Sequence, residues 1–468
     1  MAGKRRRLAE RRRVVGHAQE QLAALLGVER STVQRWEAGE TTPQPWLWPK
    51  LAEALGVSLD ELDAMLAEGQ TGDDDRPTSS EPLGSGELFP READDELPDD
   101  SEHDPVLVAP WNHRGTVEAA AALRGGEERV KRRVILSLPS AALTAPAHQW
   151  LVHEPEPLVS GLAGRRVPAE LVDRLPAMIA ELRVMDEVAG GGDVLALAQY
   201  HFDWVAGLLD QASYDDATGR TLHGALAELG LCVGWLCYDT GQHGLGQRYN
   251  IAALRAAHSA DDRQLGAHIL GETAYQAAHQ GRAAEAVTLT ETAVAGTRGQ
   301  QTPRFLAQLS IQQAHAFAAR KDASACTAAI SQALTHIERG TTHDDLPYLY
   351  WVRPAEITAS AGECLLRLGQ ADRAAALIDQ GLALFGAPFE RDRVYYLTHL
   401  ADAVARPGKQ RDLEAAAAHG IAAIQLAESL SSTLIVDRIR DLTQQMKPHA
   451  KLPAVGEFLE RAQEFVAV

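Results

Sequence analysis

The chain has 468 residues, with 64 Asp and Glu against 45 Lys and Arg, a formal net charge of -19 and four cysteines. That length excludes a single small module and allows two or more domains, because a domain takes roughly 100 to 200 residues. There is no CxxC pair, no apolar run near the roughly 20 residues of a membrane span and no secretory leader core behind the basic N-terminus, which points to a reduced, cytoplasmic protein without a disulfide framework.

The charge is unevenly spread. Residues 4–13, KRRRLAERRR, form a basic arm, whereas residues 73–104 are dense in Asp, Glu, Pro, Gly and Ser. Arg11 and Arg12 of the arm are expected to contact phosphates beside a DNA-binding motif, the alternative being a solvated helix face. The acidic stretch cannot bury enough apolar surface to offset its ordering entropy and reads as a tether, with inhibition of the basic head by DNA mimicry as the sharper alternative. The expected domains are therefore a head over residues 1–68, an acidic linker over 69–115 and a helical region over 116–468.

Within the head, QEQLAALLGVERSTVQRWEAG (residues 19–39) carries Leu22, Leu26, Val28, Val33 and Trp36 at helical spacing, with small Ala23 at a crossing and Gly27 where a tight turn needs positive φ. Two helices joined in this way make a helix-turn-helix. The second keeps Val33 and Trp36 inside and leaves Arg30, Ser31, Gln34 and Arg35 outward, where they can donate to base edges and phosphates. Pro49, Gly56 and a Ser58–Glu61 capping box mark two further helices, making five in all. Trp46 and Trp48, about a Pro-rich turn, are expected to pack the head against itself.

The run HAQEQLAALLGVERSTVQRWEAGETTPQPWLWPKLAEALGVSLDEL resembles the lambda-repressor-like helix-turn-helix of the XRE family of transcriptional regulators, over about residues 7–66. The resemblance implies that Arg30, Ser31 and Gln34 read bases and that Gln19 and Arg35 contact or support contacts to phosphate. It also implies that the loop from Thr41 and Thr42 to Gln44 approaches the DNA backbone. Ala18 stands where the family usually has a capping Ser or Thr, and Glu29 where a small hydroxyl often caps the recognition helix. Each departure weakens the expected binding, the lost cap by about 1 kcal/mol.

KRRVILSLPSAALTAPA (residues 131–147) has the residues of a twin-arginine export signal, but its internal position favours an amphipathic helix start joining two domains. From residue 116 the chain is rich in Ala, Leu, Gln, Arg and Glu at helical spacing, an all-α region. Small residues recur about a turn position: Gly234, Gly246 and Ala253 about Gly241; Ala274, Ala286 and Ala293 about Gly281; Ala314, Cys326 and Ala333 about Lys321; Gly362, Ala374 and Gly381 about Gly369. This predicts an α-solenoid of helical hairpins. It resembles tetratricopeptide repeats, with a period nearer ~40 than the usual 34 residues. The whole region is also similar to the C-terminal parts of XRE regulators, which implies sensing or dimerisation and transfers no ligand.

No catalytic constellation appears, so the chain is not expected to be an enzyme. GGGD (190–193) and GLG (244–246) lack the strand and the Lys-Ser/Thr pair of a phosphate loop and read as packing glycines. The 17 histidines show no ligand spacing, so neither a metal nor a cofactor is expected. The aromatics mostly read as core, while Tyr238, Tyr275 and Gln312, on successive inner helices, are offered as a ligand groove. The expected partners are double-stranded DNA, a second copy of the chain and a peptide, small-molecule or protein effector. The competing reading is an interaction scaffold with a non-regulatory helix-turn-helix.

Overall fold

The computed structural model describes residues 6–15, 17–26, 28, 30–38, 41, 43, 47–57, 62, 65–66, 104–124, 137–156, 164–297, 301–386, 389–409 and 411–467. The expected acidic tether up to residue 103, the turn residue Gly27, Glu29, Thr42, Gln44, Trp46, the capping pair Ser58–Glu61, residues 131–136 and the side chain of Trp48 lie outside the described residues. The chain divides into two compact units, Met1–Asp100 and Ser101–Val468. The described residues form helices and no strand; one isolated bridge joins Arg166 and Ser213. None of these helices is long and apolar enough to cross a membrane.

The first unit holds α1 (Arg6–Val14), α2 (Gln19–Leu26), α3 (Arg30–Glu37) and α4 (Trp48–Leu55). Leu62, Met65 and Leu66, helical in turn, complete its core with Leu8, Leu22, Ala23, Leu26, Val33, Trp36, Leu51 and Leu55. The missing Ser or Thr before α2 is half replaced: the Ala18 N–H donates to Gln21 Oε1 at 2.7 Å, the reach-back arm of a capping box without its hydroxyl.

The second unit opens with α5 (Pro105–Val108) and α6 (His113–Arg124), followed by α7 (Ser140–Val152), α8 (Ala169–Val172), α9 (Leu175–Ala189) and α10 (Gly191–Gln211). The hairpins are α11 (Asp216–Asp239) with α12 (His243–Ser259), α13 (Arg263–His279) with α14 (Ala283–Gly296), α15 (Pro303–Ala319) with α16 (Ala323–Ile337), α17 (Pro354–Arg367) with α18 (Ala371–Leu384), and α19 (Glu390–Ala405) with α20 (Leu413–Ala427). A last pair, α21 (Thr433–Met446) and α22 (Pro453–Ala467), covers the end.

The turn positions read from sequence are the left-handed residues. Gly241, Gly281, Lys321 and Gly369 have φ of 75°, 77°, 62° and 78°. In each turn the next residue donates back to the carbonyl five positions earlier: Gln242 to Cys237, Arg282 to Ala277, Asp322 to Phe317 and Gln370 to Leu365. These are Schellman turns, and three of the four use glycine, which has no Cβ to crowd the positive φ. Lys321 bears the strain of a side chain there, and its ammonium bonds the Arg367 carbonyl on the following hairpin. The small residues lie at the helix contacts: a Cβ on Gly246 would come 2.9 Å from Gly234 O, and Ala274, Ala286, Ala314, Cys326 and Ala374 are fully buried. Asp262 and Asp322 start α13 and α16 by accepting the N–H three residues on.

Two expectations change. The boundary placed at residues 115/116 falls inside folded chain, because Arg255, 1% exposed, donates to the carbonyls of Val106, Leu107, Ala109 and Pro110 and stacks over Trp111. The segment read as joining two domains contributes α7, which lies on α12 and α14 with Trp150 filling the space above Gly266 and Gly296. The array is the expected solenoid, with its end joined to its start. The chain before α21 returns to the start, with Gly192 N–H on Ser431 O, Ser431 N–H on Ala189 O, and Ser432 Oγ on Asp239, so the hairpins close about a centre.

Candidate functional site

In the first unit α3 is buried on one side through Val33 and Trp36, while Arg30, Ser31, Gln34 and Arg35 are exposed. Arg30 pairs with Glu20 at 3.0 Å with both side chains mostly in solvent, a weak link that leaves the guanidinium free to turn. Arg35 reaches only 3.4 Å from Ser31 O and Thr32 Oγ1. Thr41 is exposed after α3, its N–H 3.4 Å from Arg35 O.

Arg11 and Arg12 do not stand out towards phosphate. They share the face of α1 that buries Leu8, three and four residues earlier, so they point into the unit. Arg11 donates to the carbonyls of Leu55 and Gly56 at the end of α4, at 2.8 and 2.5 Å. Arg12, 6% exposed, bonds Glu37 at 2.5 Å and His17 O at 2.7 Å. Gln19 is half-buried and donates to the same Glu37 at 2.6 Å, which makes it a support for the end of α3. Arg7 and Arg13 take the exposed side of α1.

The helix-turn-helix family model matches residues 8–62. The head is therefore an XRE-like helix-turn-helix domain. No curated protein matches the chain.

The second unit encloses a cleft of about 910 Å³, measured to its open mouth and lined by α9, by α11, α13, α15, α17 and α19, the first helices of the five hairpins, and by the connection after α16. A smaller recess of about 380 Å³ adjoins it and shares Trp235, Tyr275, Glu356, Arg391 and Asp392. Of the three residues offered as a ligand groove, Tyr275 and Gln312 line the cleft. Tyr238 does not; it is 4% exposed and packs edge-on behind Tyr275, because Trp235, one turn earlier on α11, takes the facing position.

The lining is acidic. Asp186, Glu187, Glu228, Glu272, Glu356 and Asp392 face two guanidiniums, Arg183 and Arg391. Both guanidiniums are engaged: Arg183 with Glu228 at 2.6 Å, and Arg391 with Asp186, Glu187 and Asp392. Glu272 accepts from the amides of Gln312 at 2.9 Å and Gln308 at 3.3 Å, with His268 Nδ1 4.0 Å away. Burial pushes Glu272 up to about 7, and it outweighs Arg391 in pushing Asp186 up to about 6; Glu187 moves up for the same reason, helped by the charge of Asp392. His268 and His315 are pushed down to about 3 by burial and are neutral. Trp235, Tyr275, Tyr348, Tyr350 and Trp351 supply the aromatic walls.

At the side of the cleft Glu363 lies 2.5 Å from His279 Nε2 and 3.7 Å from His399 Nε2, with Arg367 at 3.6 Å. Burial alone pushes Glu363 up, but the short contact with His279 outweighs it and the carboxyl is held well below the usual range. His279, His315 and Glu363 could share a metal ion, a grouping invisible in sequence because the three come from three hairpins. The guanidinium beside Glu363 and the short His279–Glu363 contact describe a network that balances its own charge.

Proposed function

We propose that the protein is a sequence-specific DNA-binding transcriptional regulator whose helical array joins two copies of the chain and takes an effector. The observation that carries this reading is the exposed row Arg30, Ser31, Gln34 and Arg35 on a helix whose other face is locked by Val33 and Trp36. Such a helix enters the major groove, where Arg bonds guanine O6 and N7 and Gln bonds adenine N6 and N7 bidentately. Arg7 and Arg13, with the loop at Thr41, are the phosphate contacts of this reading, and Gln19 and Arg12 hold the end of α3 through Glu37.

Dimerisation follows from discrimination: one short helix covers few base pairs, and two heads on a two-fold axis read two half-sites about one turn apart. The array, whose alternating hairpins and Schellman turns are tetratricopeptide-like, supplies both the dimer contact and the effector site in its central cleft. The test is a salt titration of the full-length chain on duplex DNA, with its sedimentation measured alongside. A regulator of this kind sediments as a dimer and loses affinity linearly in log salt. A monomer with no salt-sensitive DNA binding would put the scaffold reading first.

A further inference from the structure

We propose that the central cleft binds a small organic cation, its ammonium or guanidinium head received by Glu187, Glu272 and Gln312 and its body held against Trp235 and Tyr275. The inference names the effector class and rests on the reading of the array as a sensor.

Two independent observations lead to it. The first is the composition of the lining, six carboxylates to two guanidiniums that are already engaged within the wall. An anionic ligand would find both guanidiniums of the lining already engaged, whereas a cation finds six carboxylates. The second is a set of acceptors with no donor among the described residues: Asp186 Oδ1, Glu187 Oε2, Gln312 Oε1 and Glu356 Oε2. Asp186, Glu187 and Gln312 are 4%, 2% and 3% exposed, so bulk water does not satisfy them. A buried acceptor without a donor is costly, and an ammonium or guanidinium brings several donors together with the missing charge. Trp235 and Tyr275, with ring centroids 6.2 Å apart, both line the cleft, and the Arg391 guanidinium 5.3 Å over the Trp235 ring shows that this wall already draws a cation.

Raised carboxyl affinities for protons fit the same picture: with no cation in place, burial favours the neutral acid, so the side chains wait for a positive charge. Gln at these positions has the shape of that neutral acid and keeps an acceptor for Arg391 and Tyr350 at 187 and for the Gln308 and Gln312 amides at 272.

The experiment is calorimetric titration of the full-length chain at pH 8, without DNA, using tyramine, agmatine and spermidine as cations. Tyrosol and 4-hydroxyphenylacetate serve as the neutral and anionic counterparts of tyramine. N-acetyl-lysinamide presents the same head within a peptide. At least one small cation binds with one site per chain, and neither counterpart does. The variant Glu187→Gln/Glu272→Gln weakens that binding by about tenfold or more, the loss of charge-assisted hydrogen bonds, and unfolds no earlier than the parent. Trp235→Leu weakens it several-fold through the lost ring. Failure of all three cations below millimolar concentration, equal binding by the neutral or anionic counterpart, or an unchanged affinity in the double variant would overturn the proposal. Binding of N-acetyl-lysinamide alone would overturn the small-molecule assignment in favour of a peptide side chain. Because no DNA is present, failure here leaves the operator reading standing. A cation that binds while DNA affinity stays constant would separate the cleft from regulation.

Discussion

The recognition helix and the central cleft use the same residue types in opposite settings. On α3 the charged and amide groups stand in water, with Arg30 and its partner Glu20 both mostly exposed; in the cleft Asp186, Glu187 and Gln312 are almost wholly withdrawn from it. A solvated surface pays little to keep its donors free and works on a partner that brings dense charge of its own, such as phosphate. A desolvated cavity cannot leave acceptors unpaired cheaply, so its residues either bond one another, as around Glu363, or specify what must enter. On this account exposure marks the proposed reader and unsatisfied burial the proposed receptor.

The sharpest way to strain this comparison is to remove a buried cation. Arg255→Met leaves four carbonyls of residues 106–110 without their donor and is expected to destabilise the second unit by roughly 3–5 kcal/mol, because each buried acceptor left unpaired costs about 1–3 kcal/mol. Denaturant unfolding and faster hydrogen exchange over 104–111 would register it. In the head, Arg12→Met strands the nearly buried Glu37 and should cost about 3 kcal/mol of stability. Arg30→Ala should stay within about 0.5 kcal/mol in stability yet remove roughly 1–3 kcal/mol of operator affinity. If the two arginines exchanged these effects, the division between support and reading on this head would be wrong.

The pH dependence separates the regions more finely. Glu272 has a higher proton affinity folded than unfolded, so its contribution to stability is fully present below about pH 4.5 and is lost as pH rises through about 7. The buried neutral histidines, His223, His268 and His315 among them, act in the opposite sense below their ordinary value of 6.5. The difference between parent and Glu272→Gln isolates the carboxyl: the variant gains on the parent as pH rises from 4.5 to 7 and levels off above. A flat difference in paired thermal scans would mean that Glu272 is not desolvated. The smallest effect is expected from Arg13→Ala, which should lower the log–log salt slope of DNA binding by about 1 and leave sequence preference untouched.

Much of the fold was legible because helix contacts and turns are local chemistry. Small residues at fixed offsets marked four of the five hairpins, leaving α19 with α20 unmarked, and even the non-glycine Lys321 fell at a left-handed turn. The cleft was half legible, and its own period shows why. Gly241, Gly281 and Lys321 stand 40 residues apart, and the same step carries Cys232 to Glu272 and Gln312, and Trp235 to Tyr275 and His315, all of them on the cleft wall. Tyr238 stands 37 before Tyr275 and is out of frame by almost one helical turn. From Lys321 to Gly369 the step is 48, and the added length carries the connection that brings Tyr348, Tyr350 and Trp351 to the cleft. The fate of Arg11 and Arg12 was hidden by a basic run in which every position looks alike. Only the phase set by Leu8 distinguishes the arginines that turn inward, and that phase matters once α3 and α4 are there to receive them.

The measurement that bears most directly on the central claim is recovery and sequencing of genomic fragments bound at physiological salt by the full-length chain and by an Arg30→Ala/Gln34→Ala variant. The account predicts a shared inverted repeat, with half-sites about one DNA turn apart, that the variant no longer enriches. Recovery of the same repeat by both proteins, or of random fragments alone by the parent, would contradict it.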